Sequence, residues 1–104
     1  MHIRSFQKLM KDLYINSDGK RGVHRTALWL VEEIGELASQ LKKNEKDLSK
    51  KDVKENIEEE MADIYAWVAS LANLLDIDLD GAVQRKYPKR CPKCRKNPCI
   101  CNKF

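Results

Sequence analysis

Apolar residues recur at steps of three and four along most of this 104-residue chain, and all three prolines fall after residue 87. This spacing places apolar side chains along one face of an α-helix. Because proline interrupts helices, the C-terminal segment cannot be helical throughout, whereas the rest of the chain can be. No stretch alternates as a half-buried strand would. The sequence therefore predicts an all-α fold class.

The periodic segments predict a helical bundle of three longer helices and one short helix. The first predicted helix covers residues 2–16, and the second begins at residue 24 or 25 and ends at residue 43. The third is capped by Ser49 or Asp52 and reaches Leu75, and the short fourth covers residues 79–86. The sequence SDGKRG predicts a loop over residues 17–22. The predicted core positions are Ile3, Phe6, Leu9, Met10, Leu13, Ala27, Leu30, Val31, Ile34, Leu37, Ala38, Leu41, Val53, Ile57, Ile64, Val68, Leu71 and Leu75.

Length and charge divide the chain into residues 1–87, predicted to be one small domain, and residues 88–104, predicted to be a basic tail. A domain of this size has a thin stability margin, which partner subunits or a metal would increase. Residues 1–81 carry a net charge of −4, whereas residues 82–104 carry +8 and no acidic residue. The sequence has no apolar leader and no membrane-length apolar run, so we expect a cytoplasmic protein without a membrane partner.

Carboxylates interrupt the apolar faces of the second and third predicted helices. Glu60 falls inside the apolar sector of its helix, and Asp63 follows one turn later. Glu33 and Glu36 form a similar pair, one turn apart, on the second helix. Burying an ionised carboxylate without a partner costs several kcal/mol, on the order of 5. Such a residue must therefore be protonated, paired with a cation or bound to a metal.

Two helices packed side by side would bring Glu33, Glu36, Glu60 and Asp63 together. Gly35 lies between the first two, and its missing side chain would let another helix approach closely. Four carboxylates repel one another unless a cation lies between them, and oxygen ligands favour Mg²⁺ or Mn²⁺. The alternative is an ordinary solvated acidic face, which we expect for the flanking residues Glu58 and Glu59.

The two acidic pairs also carry a family resemblance. The segments EIGE (33–36) and EMAD (60–63), with 23 residues between them, lie in the longer segments RTALWLVEEIGELA and EEMADIYAWVASLANLLDIDLDGAVQRKY. These segments resemble the MazG-type all-α nucleoside triphosphate pyrophosphohydrolases over about residues 2–87. The resemblance implies that the four acids are catalytic Mg²⁺ ligands in a reaction that splits a nucleoside triphosphate into the monophosphate and pyrophosphate. It also implies a homodimer or homotetramer, and a role in removing unwanted or surplus nucleotides.

Further residues are candidates for binding the substrate, chiefly Lys86, Arg21, Arg25 and Trp67. Lys86 ends the last predicted helix, where the resemblance implies a lysine that binds phosphate. Arg21 and Arg25 lie near the N-terminus of the second helix, whose amides also attract anions. Trp67 follows Asp63 by one turn and could stack on a base, as could Trp29, although large aromatics at helical spacing are more often core residues. Asn73 could contact a base or sugar, or equally a helix end.

The four cysteines lie within eleven residues, in the sequence CPKCRKNPCIC. Cys91, Cys94, Cys99 and Cys101 could surround one structural Zn²⁺, and the first pair resembles a zinc knuckle. The last pair is more closely spaced than in most zinc sites, and no glycine follows Cys94 to ease the turn. Free or redox-active thiols in a flexible tail are the alternative.

Two other functions fit the same residues. The chain could be a small helical adaptor whose basic zinc tail contacts nucleic acid, with the acids merely solvated. It could also hydrolyse a specialised nucleotide, because the related phosphoribosyl-ATP pyrophosphohydrolases have similar acidic helices. The sequence does not identify a preferred base or sugar.

Overall fold

The computed structural model of this chain describes residues 1–102, so that Lys103 and Phe104 at the end of the predicted tail lie outside the described residues. The chain forms three helices, α1 (Ile3–Lys43), α2 (Lys51–Leu74) and α3 (Leu79–Lys86). No β-strand occurs within residues 1–102. The predicted all-α fold class is therefore confirmed.

Helix α1 is interrupted at Gly22, where the backbone has φ 81° and ψ 171°. Residues with side chains rarely adopt this conformation, so glycine permits the change of direction. The break divides α1 into helical segments that correspond to the first two predicted helices. The predicted loop over residues 17–22 was wrong apart from Gly22, because residues 17–21 continue the helix.

Side chains around the break explain why a turn-like sequence remains helical. Asp18 and Arg21, one helical turn apart, form an ion pair. Arg21 Nε also donates to the Thr26 hydroxyl at 2.9 Å, and that hydroxyl donates to the Gly22 carbonyl oxygen at 2.7 Å. Asp18 and Thr26 are 2% and 0% exposed. This buried network joins the two segments of α1 and outweighs the turn preference of the local sequence.

The later helices begin and end close to their predicted positions. The cap of α2 is Lys50, and its side chain makes no capping hydrogen bond, so neither Ser49 nor Asp52 has the predicted role. Helix α3 spans the predicted residues, and the Asp78 carboxylate caps it by accepting a hydrogen bond from the Gly81 N–H at 3.3 Å.

A short connector over residues 44–50 folds α2 back along the second segment of α1 in an antiparallel pair. Gln7 at the start of α1 then fixes the end of α2. Its amide nitrogen donates to Asn73 Oδ1 at 3.1 Å and to the Ile77 carbonyl oxygen at 2.7 Å, and its oxygen accepts from the Leu79 N–H at 3.0 Å. Asn73 therefore makes a helix-end contact, one of the two roles expected for it.

The apolar core of a single chain is thin. The buried apolar side chains among the described residues are Met10, Ile57, Ala69 and Ala72. The predicted burial of several core positions was wrong, since these residues are exposed: Leu13, Val31, Ile34, Ala38 and Leu75. For Val31, Ile34 and Ala38 the physical reason is that the antiparallel pair covers one face of the second segment of α1 and leaves the opposite apolar face open. None of the helices described here is long and apolar enough to cross a membrane.

Candidate functional site

The antiparallel helices bring three glutamates together. Glu33 and Glu36 lie on the second segment of α1 and Glu60 lies on α2, and one oxygen from each carboxylate lies within 4.8 Å of the other two. The three-residue spacing puts the first two on one side of α1, facing the partner helix. Asp63, one turn after Glu60, lines the same cavity as Glu33. We refer to these four residues as the acid cluster.

The electrostatics of the acid cluster are unfavourable without a cation. Glu60 is 9% exposed, and its buried Oε1 has no hydrogen-bond partner among the described residues. The hydrogen bond with Glu60 raises the pKa of Glu33, and burial and the charges of Glu60 and Asp63 raise it further, against a lowering by Glu36. Within residues 1–102, no lysine or arginine forms an ion pair with the cluster.

These observations fit a hard divalent cation. The donors are all oxygens from two rigid helices, and one of them is buried without a partner. Mg²⁺ and Mn²⁺ prefer such ligands, and either ion would remove the repulsion that raises the pKa of Glu33. Glu58 and Glu59 are exposed, as expected for solvated side chains.

Gly35 has a different environment from the one predicted. A Cβ atom added to it would meet nothing within 4 Å. Within residues 1–102, no helix makes the close approach that the glycine was expected to permit, because Gly35 lies on the open face of α1.

A cavity of about 430 Å³ adjoins the acid cluster. Glu33 and Asp63 line it together with the side chains of Tyr14, Asp18, Arg21 and Trp67. The Arg21 guanidinium lies 4.6 Å from the centre of the Trp67 ring, and Trp29 contacts the same ring from the other helix, with ring centres 5.7 Å apart. The cavity therefore combines carboxylates with an aromatic wall.

Two of the four predicted substrate residues line this cavity and two do not. Arg21 and Trp67 lie on its wall, although Arg21 is also held by Asp18. Arg25 lines an adjoining hollow with Trp29, which shares Ser17 and Arg21 with the cavity, whereas Lys86 lines another hollow beside the cysteine tail. The roles of Arg25 and Lys86 stay predictions, because one chain does not bring them to the acid cluster.

Sequence reasoning missed Asp18, which lines the cavity and is almost completely buried. Its Oδ1 pairs with Arg21, while its Oδ2 has no hydrogen-bond partner among the described residues. The local sequence places Asp18 in a turn because it precedes a glycine. Its three-residue spacing from Arg21, typical of an ion pair on one helix face, was the signal available in the sequence.

The four cysteine sulfurs form a second cluster. All four Sγ atoms lie within 4.8 Å of one another, and none forms a disulfide. Two close pairs, Cys91 with Cys101 and Cys94 with Cys99, have sulfurs 3.7 and 3.8 Å apart. The cluster could hold a metal ion, because four thiolates at this separation can surround one cation.

Backbone groups around the sulfurs favour their ionised form. Hydrogen bonds from the N–H groups of Cys94 and Lys93 lower the pKa of Cys91 to about 6. A backbone hydrogen bond from Ile100 lowers the pKa of Cys94. Hydrogen bonds with Cys99 and Cys94 act in the opposite direction and raise the pKa of Cys101 to about 12.

The turn after Cys94 forms without the glycine that such turns favour. Arg95 takes the left-handed conformation instead, with φ 60°. Its N–H donates to the Cys91 carbonyl oxygen at 2.8 Å, and the Cys91 N–H donates to the Lys96 carbonyl oxygen at 3.1 Å. These two bonds close the loop that carries the first pair of cysteines and offset the backbone strain of about 1 kcal/mol.

The fold and the acid cluster together define the class: an all-α domain that gathers carboxylates from two helices beside a cavity. The chain belongs to the family described as MazG nucleotide pyrophosphohydrolase domain, whose family model matches residues 21–95. This match includes the whole acid cluster. The chain is also similar to the Gene 37 protein of Mycobacterium phage L5, with 32% identity over 97 residues, which cover 86% of this chain and 85% of that protein.

Proposed function

We propose that this protein is a Mg²⁺-dependent nucleoside triphosphate pyrophosphohydrolase that releases a nucleoside monophosphate and pyrophosphate, with nucleotide-pool house-cleaning as its role. The acid cluster carries this proposal: carboxylates from two helices meet beside a cavity, and one of their oxygens is buried without a partner. Family membership supports the same reaction. Mn²⁺ would serve as an alternative ion, since it accepts the same oxygen ligands.

The acid cluster would hold the metal ion, through Glu33, Glu36, Glu60 and Asp63. A bound Mg²⁺ would supply charge neutralisation for the phosphates and a more acidic water as nucleophile. Without the ion, the cluster would repel the triphosphate, so that substrate binding would itself depend on the cation.

The cavity beside the cluster would receive the nucleoside. Trp67 would stack on the base, and the guanidinium of Arg21 would keep that ring in place. Water would be excluded from this aromatic wall, while the phosphates would extend toward the carboxylates at the other end. The volume of about 430 Å³ is sufficient for a base and sugar.

The enzyme would act as a homodimer or homotetramer. The second segment of α1 exposes apolar side chains, with Leu28 66% and Val31 65% exposed. A second subunit packed on this face would bury them and would use the open space at Gly35. Arg25 and Lys86 would then reach phosphate only if assembly brings them to the cavity of a neighbouring chain.

The cysteine cluster would bind one structural Zn²⁺. Four sulfur donors select a softer ion than the acid cluster does. Zinc would order a tail too short to have a core of its own. The thiols would stay available in a reducing compartment such as the cytoplasm.

The direct test is a product assay with a panel of ribo- and deoxyribonucleoside triphosphates and Mg²⁺. We expect monophosphate and pyrophosphate, and a loss of activity of about 100-fold or more in the variant Glu60→Gln. The matched control is Glu59→Gln, which removes a charge from an exposed neighbour on the same helix. Diphosphate and inorganic phosphate as products would contradict the proposed bond cleavage, and equal activity in both variants would remove Glu60 from the site.

A further inference from the structure

Apart from Lys86, the surface around the cysteine cluster carries positive charge that the proposed hydrolysis does not use. We define the basic tail surface as Lys86, Lys89, Arg90, Arg95 and Lys96, all exposed. None of these five cations forms an ion pair with a carboxylate in the described part of the chain. Four bound thiolates and one Zn²⁺ would add −2 to the +8 of residues 82–104, which leaves the segment strongly positive. The surface is therefore electrostatically suited to a ligand with several negative charges.

This surface is shaped rather than flat. One hollow of about 310 Å³ is lined by four cations, Arg85, Lys86, Arg90 and Arg95. A second hollow, of about 380 Å³, has Lys89 and Lys96 on its wall. The two hollows share the wall formed by residues 90–92. Two adjoining basic hollows are suited to a chain of linked phosphates.

The loop that carries the cysteines holds these cations in position. The backbone bonds between Cys91 and the residues Arg95 and Lys96 bring the two ends of the basic stretch together. The Asn97 side chain donates to the Lys89 carbonyl oxygen at 2.8 Å, and both residues line the second hollow. The spacing of the cations therefore depends on the folded cysteine loop.

Apolar groups lie exposed next to the cations. Tyr87 lines the second hollow and is 56% exposed, with the Lys86 ammonium 5.8 Å from its ring centre. Ile100, between the last two cysteines, is 72% exposed. An exposed aromatic ring beside a basic groove is the arrangement with which proteins bind unpaired bases, because every base can stack on it.

We propose that the basic tail surface binds single-stranded nucleic acid, with the five cations on successive phosphates and Tyr87 stacked on a base. The small hollows and the exposed ring favour a single strand over a duplex, whose bases are already stacked. The proposed substrate cavity shares no lining residue with either hollow, so the free triphosphate has its own site. The two exposed apolar groups, Ile100 and the Tyr87 ring, supply too little area for a membrane to be the ligand.

The test titrates the zinc-loaded full-length protein into fluorescein-labelled 12-residue oligomers of deoxythymidine or of uridine. Binding is measured by fluorescence anisotropy in the absence of Mg²⁺. We expect saturable binding of at least one strand. Its logarithmic affinity should fall with the logarithm of salt concentration with a slope of about −3, as expected when about four or five phosphates are neutralised. A slope near zero, or no binding at about 50 mM salt, would overturn the proposal.

Charge reversal supplies the matched comparison. The double variant Arg90→Glu and Arg95→Glu should weaken binding by about tenfold or more, and Tyr87→Leu should weaken it by severalfold, roughly 5-fold. The control Lys46→Glu and Lys54→Glu reverses two exposed cations far along the chain from the tail and should leave binding within about twofold. Equal losses in the tail variant and the control would mean unspecific charge attraction and would overturn the proposal.

Three further measurements distinguish strand binding by the folded tail from binding by an unfolded tail, from membrane binding and from triphosphate hydrolysis. The variant Cys94→Ser with Cys101→Ser should weaken binding by about fivefold or more, and undiminished affinity would overturn the role of the folded loop.

Preferential binding to phosphatidylserine vesicles over the oligomers would assign the surface to membranes instead. The Arg90→Glu, Arg95→Glu variant should keep its triphosphate hydrolysis and Glu60→Gln should keep its strand binding, so that either function can fail without the other.

Discussion

At the scale of single residues, Glu33 and Glu60 show how the site depends on its ion. Their carboxylates approach across two helices, and the hydrogen bond between them is the main cause of the raised pKa of Glu33. A carboxyl with a raised pKa still carries its proton in the folded chain at a pH where the unfolded chain has lost it. The metal-free protein therefore loses stability as pH rises through this range.

This linkage predicts a pH-dependent effect of Mg²⁺ on stability. Because Mg²⁺ must replace the proton on Glu33, the rise in melting temperature caused by Mg²⁺ should be small near about pH 5 and larger near about pH 8. Differential scanning fluorimetry at several pH values measures it. The variant Glu60→Gln removes the main cause of the raised pKa and should lose most of the pH dependence. A Mg²⁺ effect that shrinks as pH rises would contradict this account.

At the scale of secondary structure elements, the break at Gly22 positions the site. It lets the first segment of α1, with Asp18 and Arg21, line the cavity that the second segment shares with α2. The backbone at Gly22 lies in a region that is almost restricted to glycine. Gly19, three residues earlier, is an ordinary helical residue with nothing within 4 Å of an added Cβ.

The two glycines therefore predict opposite effects of the same substitution. Gly22→Ala should lower the free energy of unfolding by about 1–3 kcal/mol, because alanine cannot adopt that backbone conformation without strain. Gly19→Ala should raise it by about 0.5–1 kcal/mol through helix propensity. Urea denaturation of the two variants gives both values. A stabilised Gly22→Ala variant would mean that α1 is not broken at this residue.

The helices were predictable from sequence to different degrees. Helix α3 matches its prediction because Asp78 caps it locally, whereas the predicted capping residue of α2 was wrong because no side chain caps that helix. The loop at residues 17–22 was overpredicted since the Asp18–Arg21 pair and Thr26, which keep it helical, act across the break. Local turn chemistry alone could not reveal this network.

The part of the candidate site that depends on residue spacing along each helix could be predicted from the sequence. The pairs Glu33 with Glu36 and Glu60 with Asp63 each lie one turn apart. The two packed helices bring Glu33, Glu36 and Glu60 within 4.8 Å of one another, and Asp63 lines the adjoining cavity with Glu33. The positions of Arg25 and Lys86 depend on distances between elements, or between subunits, which residue spacing does not determine. Asp18 was missed for the same reason, because its burial follows from the packing of the whole bundle.

At the scale of the whole molecule, two features of the single chain are unexplained by its own packing. One is the exposed apolar surface, and the other is the opposite net charge of the body and the tail. Leu28 and Val31 are each about two-thirds exposed, at 66% and 65%. The acidic body and basic tail differ in net charge, −4 for residues 1–81 and +8 for residues 82–104. The first feature predicts assembly, and the second predicts two separate ligands for the two ends of the chain.

Assembly can be tested by disrupting the exposed face of α1. We expect the protein to sediment as a homodimer or homotetramer, and the double variant Leu28→Glu and Val31→Glu to sediment as a monomer, because buried charges without partners oppose association. Ile100→Glu changes an equally exposed apolar residue in the tail and should leave the oligomer intact. Sedimentation velocity distinguishes these states. A wild-type monomer at concentrations of about 100 µM would contradict the predicted assembly.

The most direct test of the central claim is electron paramagnetic resonance of Mn²⁺ titrated into the protein, with and without a non-hydrolysable nucleoside triphosphate analogue. Glu60→Gln and the exposed-site control Glu59→Gln are measured in parallel. We predict that the wild type and the control bind Mn²⁺ at the acid cluster, that the analogue tightens this binding, and that Glu60→Gln weakens it by about tenfold or more. Equal Mn²⁺ binding in the two variants, or binding that the analogue does not change, would contradict the account.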